Sequence, residues 1–256
     1  MKLNLLNKTF IVSGSSKGIG LKIAENLLME GSNVIITGRS KNIIKKQYKK
    51  LNLKFGPKVQ YVDGDIKKNS VLKKIKKILK KKWKKLDGIV ANAGSVKMNV
   101  ASFTSEKDFN WYQNNFFMNA FKFVNYFINE IKKNQGSIIF ISSIASLKDL
   151  DAPFGYASSK LSINLYSKFL ANKLSKYNVR VNNIIPGNIY FKGGNWDKKI
   201  KKNPSKVKKM IKDLVPLGRF GKPEEIADLT TFLLSPKSNF MTGAQIVIDG
   251  GQIIKR

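Results

Sequence analysis

A chain of 256 residues without a cysteine or a histidine cannot hold a disulfide, a thiolate or imidazole metal site, a cysteine nucleophile or a serine–histidine–aspartate triad. Its proton donors are confined to tyrosine, lysine and the carboxylates, no metal site is expected, and a hydrophobic content of 42% suffices for one large core. The net charge of +32 would ordinarily suggest nucleic acid, anionic lipid or an acidic partner, but lysine, asparagine and isoleucine are over-used jointly along the whole chain, so compositional bias is the simpler reading and no nucleic acid is expected.

In chain order, the β-branched run Thr9-Phe10-Ile11-Val12 leads into a glycine cluster from Ser13 to Gly20, after which Leu21, Ile23, Ala24, Leu27 and Leu28 repeat at helical spacing. The pattern predicts strand, glycine turn, helix. Val34-Ile35-Ile36-Thr37, Val59-Gln60-Tyr61-Val62 and Gly88-Ile89-Val90-Ala91 read as buried strands separated by helical patterns. Between the last two, residues 67–85 carry Val71, Leu72, Ile75, Ile78, Leu79 and Trp83 on one face and lysines on the other, which fits a crossover helix with a solvated basic face. Ser137-Ile138-Ile139-Phe140-Ile141 and residues 179–185 read as further strands with an amphipathic helix around Lys160 to Leu174 between them, and Gln245-Ile246-Val247-Ile248 as the last.

Strands alternating with helices over the whole length predict an α/β fold: one Rossmann-type domain, residues 1–256, with a doubly wound parallel sheet of about seven strands covered by helices on both faces. Ligands then bind beyond the carboxyl ends of the strands. The lysine-rich stretch 190–217, with weak periodicity, is the expected substrate lid. No apolar stretch reaches the roughly 18 to 20 residues of a membrane span, and the opening Met1 to Leu6 is too short for a signal peptide, so a cytoplasmic protein is expected.

Gly14, Gly18 and Gly20 form GxxxGxG, a variant of the dinucleotide turn in which missing side chains let the backbone turn tightly and approach a pyrophosphate at a helix N-terminus. At the end of the second strand, where an acid would hold the ribose 2′-hydroxyl of NAD, the chain has Gly38-Arg39-Ser40. Arg39, with Lys17, can clamp a 2′-phosphate, so NADP(H) is favoured over NAD(H).

Tyr156 and Lys160, spaced YxxxK, lie one helical turn apart on one face. A free phenol is a poor acid or base at neutral pH, whereas a neighbouring ammonium and a bound nicotinamide would stabilise the phenolate and make Tyr156 a general acid/base. Ser143, thirteen residues earlier at the end of a strand, can hold a substrate oxygen at the same sheet edge.

These features, with Asp65-Ile66, Asn92-Ala93-Gly94, Pro186-Gly187, residues 219–227, Thr242-Gly243 and Asp249-Gly250-Gly251, resemble the short-chain dehydrogenase/reductase family over essentially the whole chain. The resemblance implies hydride transfer in which Tyr156 protonates, Lys160 binds the ribose and Ser143 polarises the carbonyl. It implies a cofactor site made by Gly14, Ser16, Lys17, Gly18, Ile19, Gly20 and Arg39, with Asp65 and Ile66 on the adenine. Asn92, Ala93 and Gly94 line the cofactor, Pro186 and Gly187 follow the sixth strand, Ile189 meets the carboxamide, and Tyr156 and Lys160 also touch the cofactor. The family's fourth catalytic residue, an asparagine supporting a proton relay, is Asn115 by its spacing to Gly136, or Asn119 by the helical pattern after it; Asn115 is favoured. Phe191 stands where many relatives have a threonine that contacts the cofactor.

The expected activity is NADP(H)-dependent interconversion of a ketone and a secondary alcohol. The first substrate expected is a 3-oxoacyl group on acyl carrier protein, making the chain like a 3-oxoacyl-ACP reductase. A sugar or polyol is the close alternative, given the polar and aromatic Gly193-Gly194-Asn195-Trp196 segment. A non-catalytic basic scaffold or RNA-associated protein is the reading from another class. A homotetramer or homodimer is implied by the resemblance.

Overall fold

The computed structural model describes residues 1–95 and 105–255. Seven strands, β1 (Thr9–Val12), β2 (Asn33–Gly38), β3 (Val59–Asp63), β4 (Gly88–Ala91), β5 (Ser137–Ile141), β6 (Arg180–Pro186) and β7 (Gln245–Ile248), form one sheet in the order β3-β2-β1-β4-β5-β6-β7. Every pairing is parallel. The helices are α1 (Gly18–Met29), α2 (Lys41–Phe55), α3 (Asn69–Lys82), α4 (Glu106–Asn115), α5 (Phe117–Lys133), α6 (Phe154–Leu174), α7 (Asn195–Lys202), α8 (Pro204–Leu214) and α9 (Pro223–Leu234). This is the doubly wound α/β architecture expected from the alternation of strand and helix patterns, and its strand order reverses between β1 and β4.

Successive residues of a strand point to opposite faces, and here both faces are covered, so the strands are apolar without alternation. On one face Ile11, Ile35, Ile89, Ile138 and Phe140 pack with Ile75 of α3, Phe123 and Phe127 of α5, and Ile163 and Leu170 of α6. On the other, Phe10, Val12, Val34, Ile36, Val90 and Ile139 pack with Ile23 and Leu27 of α1, Ile44 of α2, and Ile226 and Leu233 of α9. The lysine-rich helix α3 buries Val71, Leu72, Ile75 and Leu79 against the sheet and is the crossover between β3 and β4. Among the described residues no helix is long and apolar enough to cross a membrane.

Two elements differ from their sequence patterns. Helix α6 begins at Phe154, a turn and a half before the amphipathic pattern starts, because the Pro153 carbonyl accepts from Tyr156 N–H (2.8 Å) and Ala157 N–H (3.0 Å) and opens the helix. The stretch 190–217 forms α7 and α8. Its weak periodicity reflects how little it buries: α8 turns only Val207 and Ile211 inward, and its start is set by the Asn203 side chain, which accepts from Lys206 N–H at 3.0 Å, with Pro204 at the first helical position.

The edge pair β6–β7 is held by a fully buried asparagine. Asn182 Nδ2 donates to the Met241 carbonyl at 2.8 Å, and its Oδ1 accepts from Ala244 N–H at 3.1 Å, which fixes the turn entering β7. Asn182→Leu would leave a backbone donor and an acceptor unpaired in the interior. We expect a loss of about 2–4 kcal/mol, read as a lower urea midpoint at unchanged slope; an unchanged midpoint would remove Asn182 from this role.

Candidate active site

The carboxyl ends of β1, β2, β4, β5 and β6 converge on one edge of the sheet, and the glycine turn, Arg39, Asn92, Ser143 and Gly187 follow them there, whereas Thr242-Gly243 lies at the opposite edge, bonded to Val181 at the start of β6. Ser13 organises the first of them. Its Oγ donates to the Val90 carbonyl (3.1 Å) and accepts from the N–H groups of Asn92 (3.0 Å) and Ala93 (3.1 Å), joining the end of β1 to the end of β4. Asn92 completes the junction, its Nδ2 donating to the carbonyls of Ser13 and Gly14 at 3.1 Å each. The side chain of Asn92 therefore holds the glycine turn.

The glycines divide their work. Gly14 has φ +66°, and a Cβ on it would lie 2.8 Å from the Ala93 backbone; a Cβ on Gly20 would lie 2.5 Å from both Asn92 Nδ2 and the Gly14 carbonyl. Both are glycine because the protein's own backbone approaches them. Gly18, at φ +58°, instead faces the Phe191 ring, 2.7 Å from where its Cβ would be. Helix α1 starts there with Lys17 extended, no side-chain cap and no acid in its first turn, so its N-terminal N–H groups keep their affinity for an anion. Lys17 Nζ donates to the Gly193 carbonyl at 3.2 Å.

At the end of β2, Gly38 packs on Ser16, which puts the exposed Arg39 beside the glycine turn; its Nη2 donates to Ser95 Oγ at 2.9 Å. Past β3, Asp65 Oδ1 accepts from Lys67 N–H at 3.0 Å, while the Ile66 side chain is buried in the core. The uncapped helix start, the glycine turn and the two cations Lys17 and Arg39 fit an anionic dinucleotide, with Phe191 contributing a ring where the family resemblance would lead one to expect a hydroxyl. At β6, Gly187 lies close against Asp249, and Ile189 bridges Gly221, fixing the chain as it leaves β6.

Ser143 follows β5 in extended conformation (φ −166°, ψ 148°) and begins the short 3-10 turn Ile144–Ser146. Its Oγ accepts from Ala145 N–H at 3.3 Å, and the hydroxyl lies near enough to the Tyr156 phenol to act on its pKa. The Tyr156 ring is enclosed by Phe116 (centroids 5.1 Å apart) and Tyr112 (6.1 Å). Burial pushes the phenol above its ordinary value, and the Ser143 hydroxyl opposes that rise. Lys160, only 5% exposed, donates from Nζ to the Ile141 carbonyl at 2.9 Å, and burial brings its ammonium down to about 7. The ammonium lies 4.7 Å from the centre of the Phe116 ring and 5.9 Å from that of Tyr156. In the chain alone, burial raises the Tyr156 phenol and Ser143 is the group that counteracts it.

Asn115 and Asn119 prove to be one feature. Helix α4 ends at Asn115 and α5 starts at Phe117, with Phe116 off the helical path (φ −117°, ψ −69°). The Asn115 side chain turns back to donate to the Trp111 carbonyl at 2.9 Å, and the buried Asn119 Nδ2 donates to the main-chain carbonyl of Asn115. Phe116, projecting from this break onto Lys160 and Tyr156, is a site residue that the sequence reading missed; an aromatic between an asparagine and a second aromatic gives no signal of a helix break.

Known proteins agree with this arrangement. Residues 14–252 match the family model described as enoyl-(acyl carrier protein) reductase. The 3-oxoacyl-[acyl-carrier-protein] reductase FabG of Chlamydia trachomatis is 33% identical over 248 residues, 96% of this chain and 98% of the relative. An NAD-dependent glycerol dehydrogenase of Listeria innocua is 30% identical, covering 98% of this chain and 96% of its own. The structure of L-sorbose reductase from Gluconobacter frateurii, complexed with NADPH and L-sorbose, superimposes with a TM-score of 0.91 at 26% identity, over 99% of both chains. With the glycine turn, Ser143, Tyr156 and Lys160 at one sheet edge and a family match over nearly its whole length, the chain belongs to the short-chain dehydrogenase/reductase family and is an NAD(P)-dependent oxidoreductase acting on CH–OH and C=O groups.

Proposed function

We propose that this protein reduces a ketone to a secondary alcohol with NADPH, and that its substrate is a 3-oxoacyl group carried on acyl carrier protein. The observation that carries the reaction is the placement of Ser143, Tyr156 and Lys160 together where the end of β5 meets the start of α6. Ser143 orients the carbonyl oxygen, and Tyr156 delivers the proton to it as charge develops. Phe116 and Tyr112 shield the phenol from water. Lys160 is held by the Ile141 carbonyl where it can reach a ribose, and Asn115 offers its main-chain carbonyl to the proton relay, steadied by Asn119. The dinucleotide, when bound, supplies the hydride. The turn from Gly14 through Ser16, Lys17, Gly18 and Ile19 to Gly20 would hold it, with Arg39, Asp65, Ile66, Asn92, Ala93, Gly94, Pro186, Gly187 and Ile189 lining the rest.

Two observations support the finer choices. Arg39 and Lys17, both exposed beside the glycine turn, favour a 2′-phosphate and hence NADPH. The likeness to the Chlamydia trachomatis 3-oxoacyl-[acyl-carrier-protein] reductase supports the carrier-bound substrate, and the lysine-rich lid 190–217 suits an acidic carrier. The sugar or polyol reading has its own support in the L-sorbose reductase likeness and in the lid cluster of Tyr190, Trp196 and Phe220.

A second copy of the chain is the expected partner, in a homodimer or homotetramer. Helix α6 exposes Leu161, Leu165 and Phe169 at i, i+4 and i+8, with Leu165 70% exposed, beside the half-exposed Phe121 of α5. A stripe of that width on an otherwise lysine-rich surface calls for an apolar cover.

Tyr156→Phe should lower the rate of NADPH oxidation with acetoacetyl-coenzyme A or L-sorbose by about 10²- to 10⁴-fold while leaving NADPH binding intact; turnover at the parent rate would refute the catalytic assignment. Which of the two compounds is reduced faster decides between the substrate readings. Arg39→Ala should weaken NADPH by about 10- to 100-fold and leave NADH nearly unchanged; equal losses for both would remove the 2′-phosphate role. Leu165→Glu should shift the sedimentation coefficient toward the monomer, and a monomeric parent protein would end the self-association reading.

A further inference from the structure

Tyr156 and Lys160 are followed on the same face of α6, four residues further on, by a third polar side chain, Asn164, which is 6% exposed. It faces the turn that carries Ser143. Asn164 Nδ2 donates to Ser146 Oγ at 2.7 Å, and Ser146 Oγ donates to the Ser143 carbonyl at 2.6 Å. Ser146 N–H meets the same carbonyl at 3.0 Å. A hydroxyl has one proton, so once Ser146 gives it to Ser143, Ser146 must accept from elsewhere, and Asn164 is its donor.

The orientation of Asn164 is set in turn from the sheet. Its Oδ1 accepts from Asn183 Nδ2 of β6 at 2.8 Å, and the other proton of that amide goes to Gln245 Oε1 of β7 at 2.8 Å. Gln245 Nε2 donates to Ser167 Oγ at 2.8 Å, and Ser167 Oγ donates to the Asn164 carbonyl at 2.8 Å, closing the network on α6. Every donor along this path has one consistent direction, so none of the three amides can flip without breaking two bonds, although the Asn183 Oδ1 is left without a partner.

We propose that Ser146 and Asn164 are positioning residues that fix the Ser143 hydroxyl against the Tyr156 phenol. The inference rests on the catalytic reading of Ser143 and Tyr156 given above. Asn183 and Ser167 are buried almost completely, and apolar side chains of similar size would fill that space without needing partners. What a closed polar network adds to packing is a single geometry. Here its far end is the carbonyl of Ser143. The carboxyl end of β5 is thereby tied to α6 at three successive residues: Ile141 through Lys160 Nζ, Ser142 through its Oγ on the Lys160 carbonyl at 3.1 Å, and Ser143 through Ser146 and Asn164. The first two ties fix Lys160, and only the third reaches Ser143.

The test uses the full-length protein with NADPH and whichever of acetoacetyl-coenzyme A and L-sorbose it reduces faster, with Tyr156→Phe as the control for the underlying reading. Ser146→Ala should lower kcat by about 10- to 100-fold, the scale of a misplaced reacting group, with the KM for NADPH unchanged within about twofold on the same scale of argument. The alkaline limb of the kcat profile, where Tyr156 loses its proton, should move to higher pH because the hydroxyl that opposes the burial of the phenol is no longer held. Ser146→Thr, which keeps the hydroxyl, should restore both. Asn164→Asp, which keeps the acceptor for Asn183 but cannot donate to Ser146, should behave like Ser146→Ala, and it serves if that variant fails to fold. Full kcat with an unmoved pH limb in a folded Ser146→Ala or Asn164→Asp protein would overturn the proposal, even if the melting temperature fell. A parent protein reducing neither compound, or a fully active Tyr156→Phe, would instead refute the reading beneath it, and the positioning role with it.

Discussion

A buried ammonium bonded to the last carbonyl of a central strand is the interaction on which the candidate site turns. The Lys160 charge is sheltered from water, and burial alone brings it to about 7, so its hydrogen bond to the Ile141 carbonyl is what keeps the side chain pointed along the sheet edge rather than outward. Because Tyr156 stands one turn earlier on α6, fixing Lys160 against β5 also fixes the height at which the phenol meets Ser143. The Phe116 ring closes the arrangement, contacting the ammonium on one side and the phenol on the other. The helix break that brings Phe116 there also presents the Asn115 carbonyl to Asn119. One ion–dipole contact and one aromatic ring thus locate four side chains drawn from three elements.

The glycine turn follows a different principle. A dinucleotide site needs open backbone, but the close approaches at Gly14 and Gly20 are to the protein itself, through Ala93 and Asn92. Ser13 and Asn92 bind that turn to the end of β4, so the first and fourth strands, neighbours at the point where strand order reverses, share one rigid corner. Only Gly18 is left facing outward, and the ring over it belongs to the lid.

The strands were legible because burial on both sheet faces forces uninterrupted β-branched runs, as at Val34 to Thr37 and Ser137 to Ile141. Tyr156, Lys160 and Ser143 were legible because spacing along a helix and position at a strand end are properties of local sequence. What could not be read was whatever depends on tertiary closure. Ser13 looks like part of the glycine cluster, and nothing local says that its hydroxyl receives two amides from a strand some eighty residues away. Asn164, Asn183 and Gln245 come from three elements and meet only when α6 packs across β6 and β7. The Asn115 and Asn119 ambiguity had the same origin: spacing admits either residue, and only the folded chain joins the two, the Asn119 side chain donating to the Asn115 carbonyl across the break at Phe116.

The segment after β6 repeats this logic with carboxylate chemistry. Asp197 is nearly buried although it begins a lysine-rich helix, and it accepts from Gly193 N–H at 3.0 Å and the Tyr190 hydroxyl at 3.1 Å while pairing with Lys201 at 3.1 Å. Those bonds hold the carboxyl below the ordinary carboxylate range. They draw residues 190–193 into a compact loop whose Phe191 ring rests on Gly18 and whose Gly193 carbonyl receives Lys17. Two anchors therefore join this loop to the start of α1, one apolar and one polar, on either side of the uncapped helix terminus. A chain with 48 basic and 16 acidic residues has few carboxylates to deploy. Asp197 folds the loop 190–193 onto the turn, Glu225 caps α9 and holds Arg219, and Asp87 joins the starts of β1 and β4. The acids serve as internal staples while the lysines face water, which is how so strongly basic a surface coexists with an ordered site.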